Sequence, residues 1–240
     1  ITSDLTKYVG DTVNLMSGVT ATNESGTPIA LVTGNLGNTV VTQNIDITDD
    51  NKYKTAGTYE VTYKVTDIAT NSSSTVKRLV KVHEAPTVIA NAQEYTLGDT
   101  GIMASVLNKP NATWQEAPAT VGDADQREIS GPADATGGVN KIKAEITGPS
   151  NDFSKAGLYS VTYTATDANS KTGSKTVSVL IKSPNAKQDD TSTLTIDAKG
   201  FTVENADAKD LTETIVKNSA HAGVGAYQKT VDGENNITGY

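Results

Sequence analysis

His83 and His221 are the two histidines of this chain, and it contains no cysteine. Catalysis of the Ser-His-Asp kind needs a histidine buried beside a serine, and no Gly-x-Ser-x-Gly elbow marks such a serine. His83 stands in His83-Glu84-Ala85-Pro86, which reads as a linker, and His221 follows a predicted helix. Both read as loop histidines. The lack of cysteine excludes disulfides, thiolate metal sites and cysteine nucleophiles. The sequence nominates no catalytic residue, and the expectation is that the chain is not an enzyme.

Carboxylates gather at Asp46-Ile47-Thr48-Asp49-Asp50, at Asp123-Ala124-Asp125 and at Asp189-Asp190. Calcium takes several oxygen ligands, so calcium is the one cofactor these clusters could serve. None follows the Asp-x-Asp-x-Asp-Gly loop, and turn and capping roles account for them more simply. Asp67 and Asp167 read as turn initiators whose carboxylates accept backbone N–H groups. Trp114, the single tryptophan, lies in a stretch over 110–140 rich in Pro, Gly, Asp and Ala. On a surface loop it could stack on a sugar or fill a partner's pocket, and it is the one candidate ligand-binding residue. The competing reading makes it a plug over the end of a β-sandwich. The threonines and lysines of the tyrosine strands could receive an added strand, although a solvated face explains them as well.

These residues must be positioned by elements, and the elements come in two copies. Residues 56–67 read Ala-Gly-Thr-Tyr-Glu-Val-Thr-Tyr-Lys-Val-Thr-Asp, and residues 156–167 read Ala-Gly-Leu-Tyr-Ser-Val-Thr-Tyr-Thr-Ala-Thr-Asp. Upstream, Tyr8-Val9-Gly10-Asp11-Thr12 matches Thr96-Leu97-Gly98-Asp99-Thr100. Downstream, Thr75-Val76-Lys77 to Lys81 matches Thr176-Val177-Ser178 to Lys182. Three blocks in the same order define a unit of domain size rather than a short solenoid repeat. Tyr59, Val61, Tyr63 and Val65 alternate with Thr58, Glu60, Thr62 and Lys64, which predicts a strand with one dry face. Polar turns at 67–73 and 167–173 and strands at 75–82 and 176–182 close each unit as hairpins. Gly57 and Gly157 predict tight corners, with Tyr59 and Tyr159 anchoring them as tyrosine corners.

The order Val-Gly-Asp-Thr-Val, Ala-Gly-Thr-Tyr-x-Val-Thr-Tyr-x-Val-Thr-Asp, polar turn and Thr-Val strand resembles the bacterial immunoglobulin-like domains. These occur in tandem on Gram-positive surface proteins and adhesins. The resemblance covers both units. The second departs from it at Thr100-Gly101-Ile102 and in the insertion near 110–140, the first at Asn23-Glu24-Ser25-Gly26. The resemblance implies a mainly β fold of tandem immunoglobulin-like sandwiches, 1–84 and 85–183. It also raises a Lys–Asn or Lys–Asp isopeptide cross-link, for which no spacing selects a pair.

Residues 184–240 break the pattern. Ser183-Pro184-Asn185-Ala186-Lys187-Gln188-Asp189-Asp190 reads as a linker, 193–196 and 201–203 as short strands, and 206–218 as a helix capped by Asn205. This α+β stretch is either a small module or a third domain cut short, the second being preferred. Ile1-Thr2-Ser3-Asp4 is no signal peptide, and the chain reads as a fragment of a longer protein.

With a net charge of −8 and no basic patch, nucleic acid is not an expected partner. No apolar run approaches the ~18 residues of a membrane span. Hydrophobic residues make up 36% and aromatics 5%, enough for thin two-layer cores. The expected function is a non-catalytic repeat segment of an exported bacterial protein, at the cell surface or in the cell wall. It would act as a monomeric spacer or stalk, with a role in adhesion. The alternatives are a module binding a glycan or a host extracellular protein through 110–140, and an accessory region of a secreted enzyme.

Overall fold

The structure is a computed structural model that describes residues 3–34 and 37–184, with 187–188, 226–227, 230–231, 233 and 237–239. It is mainly β. The chain contacts group into two units. Unit 1 comprises Ile1–Thr87, Ala112–Ile129 and Asp167–Gly173; unit 2 comprises Val88–Asn111, Ser130–Thr166 and Ser174–Tyr240.

Unit 1 contains β1 (Leu5–Tyr8), β2 (Ala21–Thr22), β3 (Pro28–Ile29), β4 (Thr39–Thr42), β5 (Gly57–Asp67) and β6 (Ser72–His83). The Tyr-x-Val-x-Tyr alternation lies on β5, and the polar turn after Asp67 folds β6 back onto it in register from Gly57↔Val82 to Asp67↔Ser72. β4 pairs antiparallel with the far half of β5. β1 runs parallel to β6, from Leu5↔Val80 to Tyr8↔His83. Val61, Tyr63, Val80 and Val82 are buried with Ile45 and Tyr53, and Val13, Leu15 and Met16 pack against them. Each such side chain, fully buried, contributes roughly 1.5–3 kcal/mol. Part of that layer is irregular backbone, pinned by bridges at Thr12↔Lys52 and Ile47↔Tyr53.

β7 (Thr87–Ile89), β8 (Gln93–Thr96), α1 (Ile102–Asn108), β9 (Asn111–Glu116), β10 (Gly122–Asp123), β11 (Asp125–Ser130), β12 (Lys141–Thr147), β13 (Gly157–Thr166) and β14 (Thr172–Lys182) follow. In unit 2 the sheet order is β12-β13-β14-β8. β8 runs parallel to β14, from Gln93↔Val179 to Lys182↔Thr96. Both sequence repeats thus share one strand order: an early strand beside the closing strand, then the corner strand, then an antiparallel neighbour. This is immunoglobulin-like, and the sequence repeat is a repeat of topology.

The repeated residues do the same work twice. The Tyr59 hydroxyl donates to Thr55 O at 2.9 Å and that of Tyr159 to Lys155 O at 2.7 Å, so both are tyrosine corners. Gly57 at φ 149° and Gly157 at φ 146° make the entry to each corner strand. The Tyr63 hydroxyl donates to Leu15 O and that of Tyr163 to Val106 O. Asp11 accepts the Tyr8 N–H, and Asp99 accepts the Thr96 N–H. The intervening Gly10 and Gly98 have positive φ, which explains why Gly-Asp recurs.

Two expectations change. The 110–140 stretch, read as surface loop, carries β9, β10 and β11, with β9 beside β11. Its Pro and Gly hide a period of two: Ala112 and Trp114 are buried while Asn111, Thr113 and Gln115 are not. Just after Thr100, where the second repeat departs from the first, a short helix forms, with Ile102 and Val106 one turn apart and both buried. Further along, β15 (Lys187–Gln188) pairs with β16 (Ala226–Tyr227), and β17 (Thr230–Val231) with β18 (Ile237–Gly239). Ile237 is buried against Leu180, Ala92 and Leu158, and its N–H donates to the Ser178 hydroxyl. The helix expected at 206–218 and the strands at 193–196 and 201–203 lie outside the described residues.

Candidate functional site

The densest group of polar side chains in unit 1 surrounds Glu116, near the end of β9. Its Oε1 accepts the Trp114 indole N–H at 2.7 Å. Its Oε2 lies 2.8 Å from His83 Nδ1 and accepts from Asn169 Nδ2 at 3.3 Å. His83 Nδ1 is also 3.1 Å from the Ala117 N–H. One atom cannot serve both neighbours, since the carboxylate needs a donor and the amide an acceptor. The closer, charged partner favours a proton on Nδ1, giving a charge-assisted bond to Glu116.

Tyr8 extends the group. Its ring lies 5.7 Å from that of His83, and its hydroxyl donates to Asp167 Oδ2 at 2.9 Å. Lys171 Nζ sits 5.1 Å over the Tyr8 ring. Burial first, then the bond to Asp167 and the charges of Asp167 and Glu116, push the Tyr8 phenol far above its ordinary range. It remains a donor at any physiological pH. Asp167 is wholly buried, and its Oδ1 accepts the N–H groups of Asn169 at 2.9 Å and Lys171 at 2.8 Å. Asp67 does likewise with Ala69 at 3.0 Å. Both aspartates initiate turns, and Asp167 is in addition a partner for Tyr8.

Trp114 is 4% exposed, so its ring is packed on both faces and its one polar atom is bonded. His83, read as a loop residue, is 5% exposed and sits on β6. A sequence could not pair His83 with Glu116, because their approach depends on β9, which the Pro- and Gly-rich composition concealed. The His83–Glu116 pair has the geometry of a base and its orienting acid, but among the described residues no hydroxyl is bonded to the imidazole. The bonds at Glu116 hold the Trp114 ring on its own strand and tie that strand to His83 and Asn169.

The other singled-out residues fall elsewhere. Asp46 accepts from the Thr55 hydroxyl at 2.9 Å and pairs with Lys54 at 3.5 Å. Asp50 pairs with Lys52 at 2.6 Å and accepts from Thr48, and these bonds lower its carboxyl to about 2. Asp125 pairs with Arg127 at 3.6 Å, and Asp123 lies on β10 beside Gly57. No cluster of three His, Asp or Glu side chains able to hold a metal occurs among the described residues. His221, Asp189 and Asp190 lie outside them. No helix among the described residues is long and apolar enough to cross a membrane.

A second feature of unit 1 is a groove between the β2–β3 hairpin and the far end of the β5–β6 hairpin, lined chiefly by hydroxyls and carboxylates.

No family model matches the chain, and no curated protein matches it. Solved structures similar to it include the protocadherin gammaB7 EC3-6 cis-dimer structure, at 10% identity and a TM-score of 0.25. That match covers 76% of this chain and 46% of the protocadherin chain, so this chain spans less than half of that length.

Proposed function

We propose that this chain is a non-catalytic spacer segment of an exported bacterial surface protein, built from tandem bacterial immunoglobulin-like domains that carry an adhesive region. The observation that supports it most directly is the parallel pairing of an early strand with the closing strand of each sequence repeat, β1 with β6 and β8 with β14. Tension applied through the ends of such a unit pulls these strands along their length in opposite directions. The ladder bonds are then loaded together rather than unzipped in turn, and each contributes about 1 kcal/mol. Such a unit suits a stalk under load. The parts of the reading that concern export, the cell wall and a Gram-positive source rest on the sequence resemblance.

Single-molecule pulling on the full chain tests the reading. The Val9 N–H donates to His83 O at 2.9 Å, so the N–H of Lys7, two residues earlier on the same strand, also faces β6. Lys7→Pro removes that ladder N–H and is expected to lower the unfolding force of unit 1 while unit 2 keeps its own. Equal forces in both proteins would remove the mechanical argument.

The competing reading is a glycan or a host extracellular protein bound by the 110–140 stretch. Val121 and Val139, 55% and 51% exposed, give that stretch apolar contact points. A ligand there would perturb Trp114 emission, and a stalk would show no such response across a glycan and matrix-protein panel.

A further inference from the structure

The dry face of the β5–β6 hairpin ends before the hairpin does. Paired residues on that face run Tyr59↔Val80, Val61↔Arg78 and Tyr63↔Val76, and then Val65↔Ser74 and Asp67↔Ser72. The last two pairs lie beyond the buried core. With the β2–β3 hairpin they enclose a groove of about 460 Å³. Clefts that hold small ligands span roughly 300–1,000 Å³.

The lining has a consistent chemistry. Ala21, Ile29 and Val65 supply apolar surface, hydroxyls come from Thr22, Ser72 and Ser74, and carboxylates from Glu24 and Asp67. No lysine or arginine lines the groove, so an anionic ligand has nothing to pair with. The walls are fixed locally. Asn23 Oδ1 accepts the Thr27 N–H and the Ser25 hydroxyl, both at 2.8 Å, which sets the β2–β3 turn. Asp67 commits Oδ1 to its own turn, and its Oδ2 has no bond among the described residues. The Glu24 carboxylate and the Thr22 and Ser74 hydroxyls are likewise unbonded there. In the second repeat Gly173 and Lys175 stand where the first has Ser72 and Ser74, so the sequence does not duplicate the groove.

We propose that this groove binds a neutral carbohydrate. The C–H face of a pyranose ring would lie on Val65 and Ile29. Its adjacent hydroxyls would donate to Glu24 and Asp67 and exchange bonds with Ser74 and Thr22. Charged acceptors bind hydroxyl donors more strongly than neutral ones do, which is the use of unpaired carboxylates in a site that holds no cation. The site stands whether or not the chain is a spacer.

The test is saturation-transfer NMR on the full chain with glucose, galactose and N-acetylglucosamine, each with n-butylamine as competitor. The expected result is transfer to ring C–H protons of at least one sugar, undisturbed by the amine. Glu24→Gln, on an exposed turn and without risk to the fold, is expected to weaken that sugar about tenfold, or 1.4 kcal/mol. Ser74→Val is expected to weaken it by a similar factor, with melting of the full chain recorded beside it. No transfer to any of the three sugars overturns the proposal. So does transfer that both variants leave unchanged, and so does displacement by butylamine, which would make the groove an amine site.

Discussion

At the scale of single residues, Glu116 joins three side chains, those of Trp114, His83 and Asn169. Glu116→Ala would leave the Trp114 indole N–H and the His83 Nδ1 proton buried without an acceptor, at a cost of about 3 kcal/mol. Glu116→Gln keeps one acceptor and should lose less than half as much. Urea unfolding followed by Trp114 emission measures both. Tyr163 governs a pH effect in unit 2. Burial, the largest cause, and the charge of Tyr95 push its phenol from 10.0 up to about 12, against a lowering influence of the Gln93 amide. The folded value lies above the unfolded one, so the stability this phenol confers is complete below pH 10.0 and is lost as pH rises through about 12. Tyr163→Phe should flatten that alkaline loss, read as midpoint against pH. Tyr53, Tyr59 and Tyr63, also raised by burial, leave a residual slope from unit 1.

At the scale of elements, the corner strands depend on backbone that only glycine adopts readily. Gly57 has φ 149°, and a Cβ there would also meet the Tyr59 hydroxyl at 3.3 Å and Gly122 O at 3.4 Å. Gly57→Ala should therefore cost about 1–3 kcal/mol. The loss should fall on unit 1, seen as a shift of the urea midpoint with its slope unchanged. β6 and β14 share a sequence pattern yet differ in surroundings. Arg78 is buried in unit 1, donating to Ser17 O at 2.8 Å and to Leu15 O while lying 5.2 Å over the Tyr63 ring. Its counterpart in the second repeat is Val179, fully buried. One strand position thus holds a cation or a methyl pair, because in unit 1 the carbonyls of Ser17 and Leu15 accept from both terminal guanidinium nitrogens, while Nε stays buried without a partner.

At the scale of the whole chain, the contact-defined units do not follow the sequence repeats. Ala112–Ile129 and Asp167–Gly173 belong with unit 1, although they lie within the second repeat. Residues 85–183 produced alone would therefore lack His83 and the other unit 1 residues that surround Glu116. Trp114 emission in that fragment is expected to shift to the red of the full chain, with faster quenching by acrylamide. An unshifted spectrum would mean that residues 85–183 bury Trp114 by themselves.

The repeat, the period-two strands, the hairpin turns, the tyrosine corners and the aspartate turn initiators were legible in the sequence. Each rests on residues close together in the chain, where side-chain alternation, glycine backbone freedom and short-range hydrogen bonds act. The mainly β class followed from those signals. The bond between His83 and Glu116, the burial of Trp114, the strands within 110–140 and the groove beside Val65 and Ser74 came only with the tertiary structure. Each joins residues distant in sequence, and which of them meet is set by the packing of whole strands, about which residue spacing carries no information.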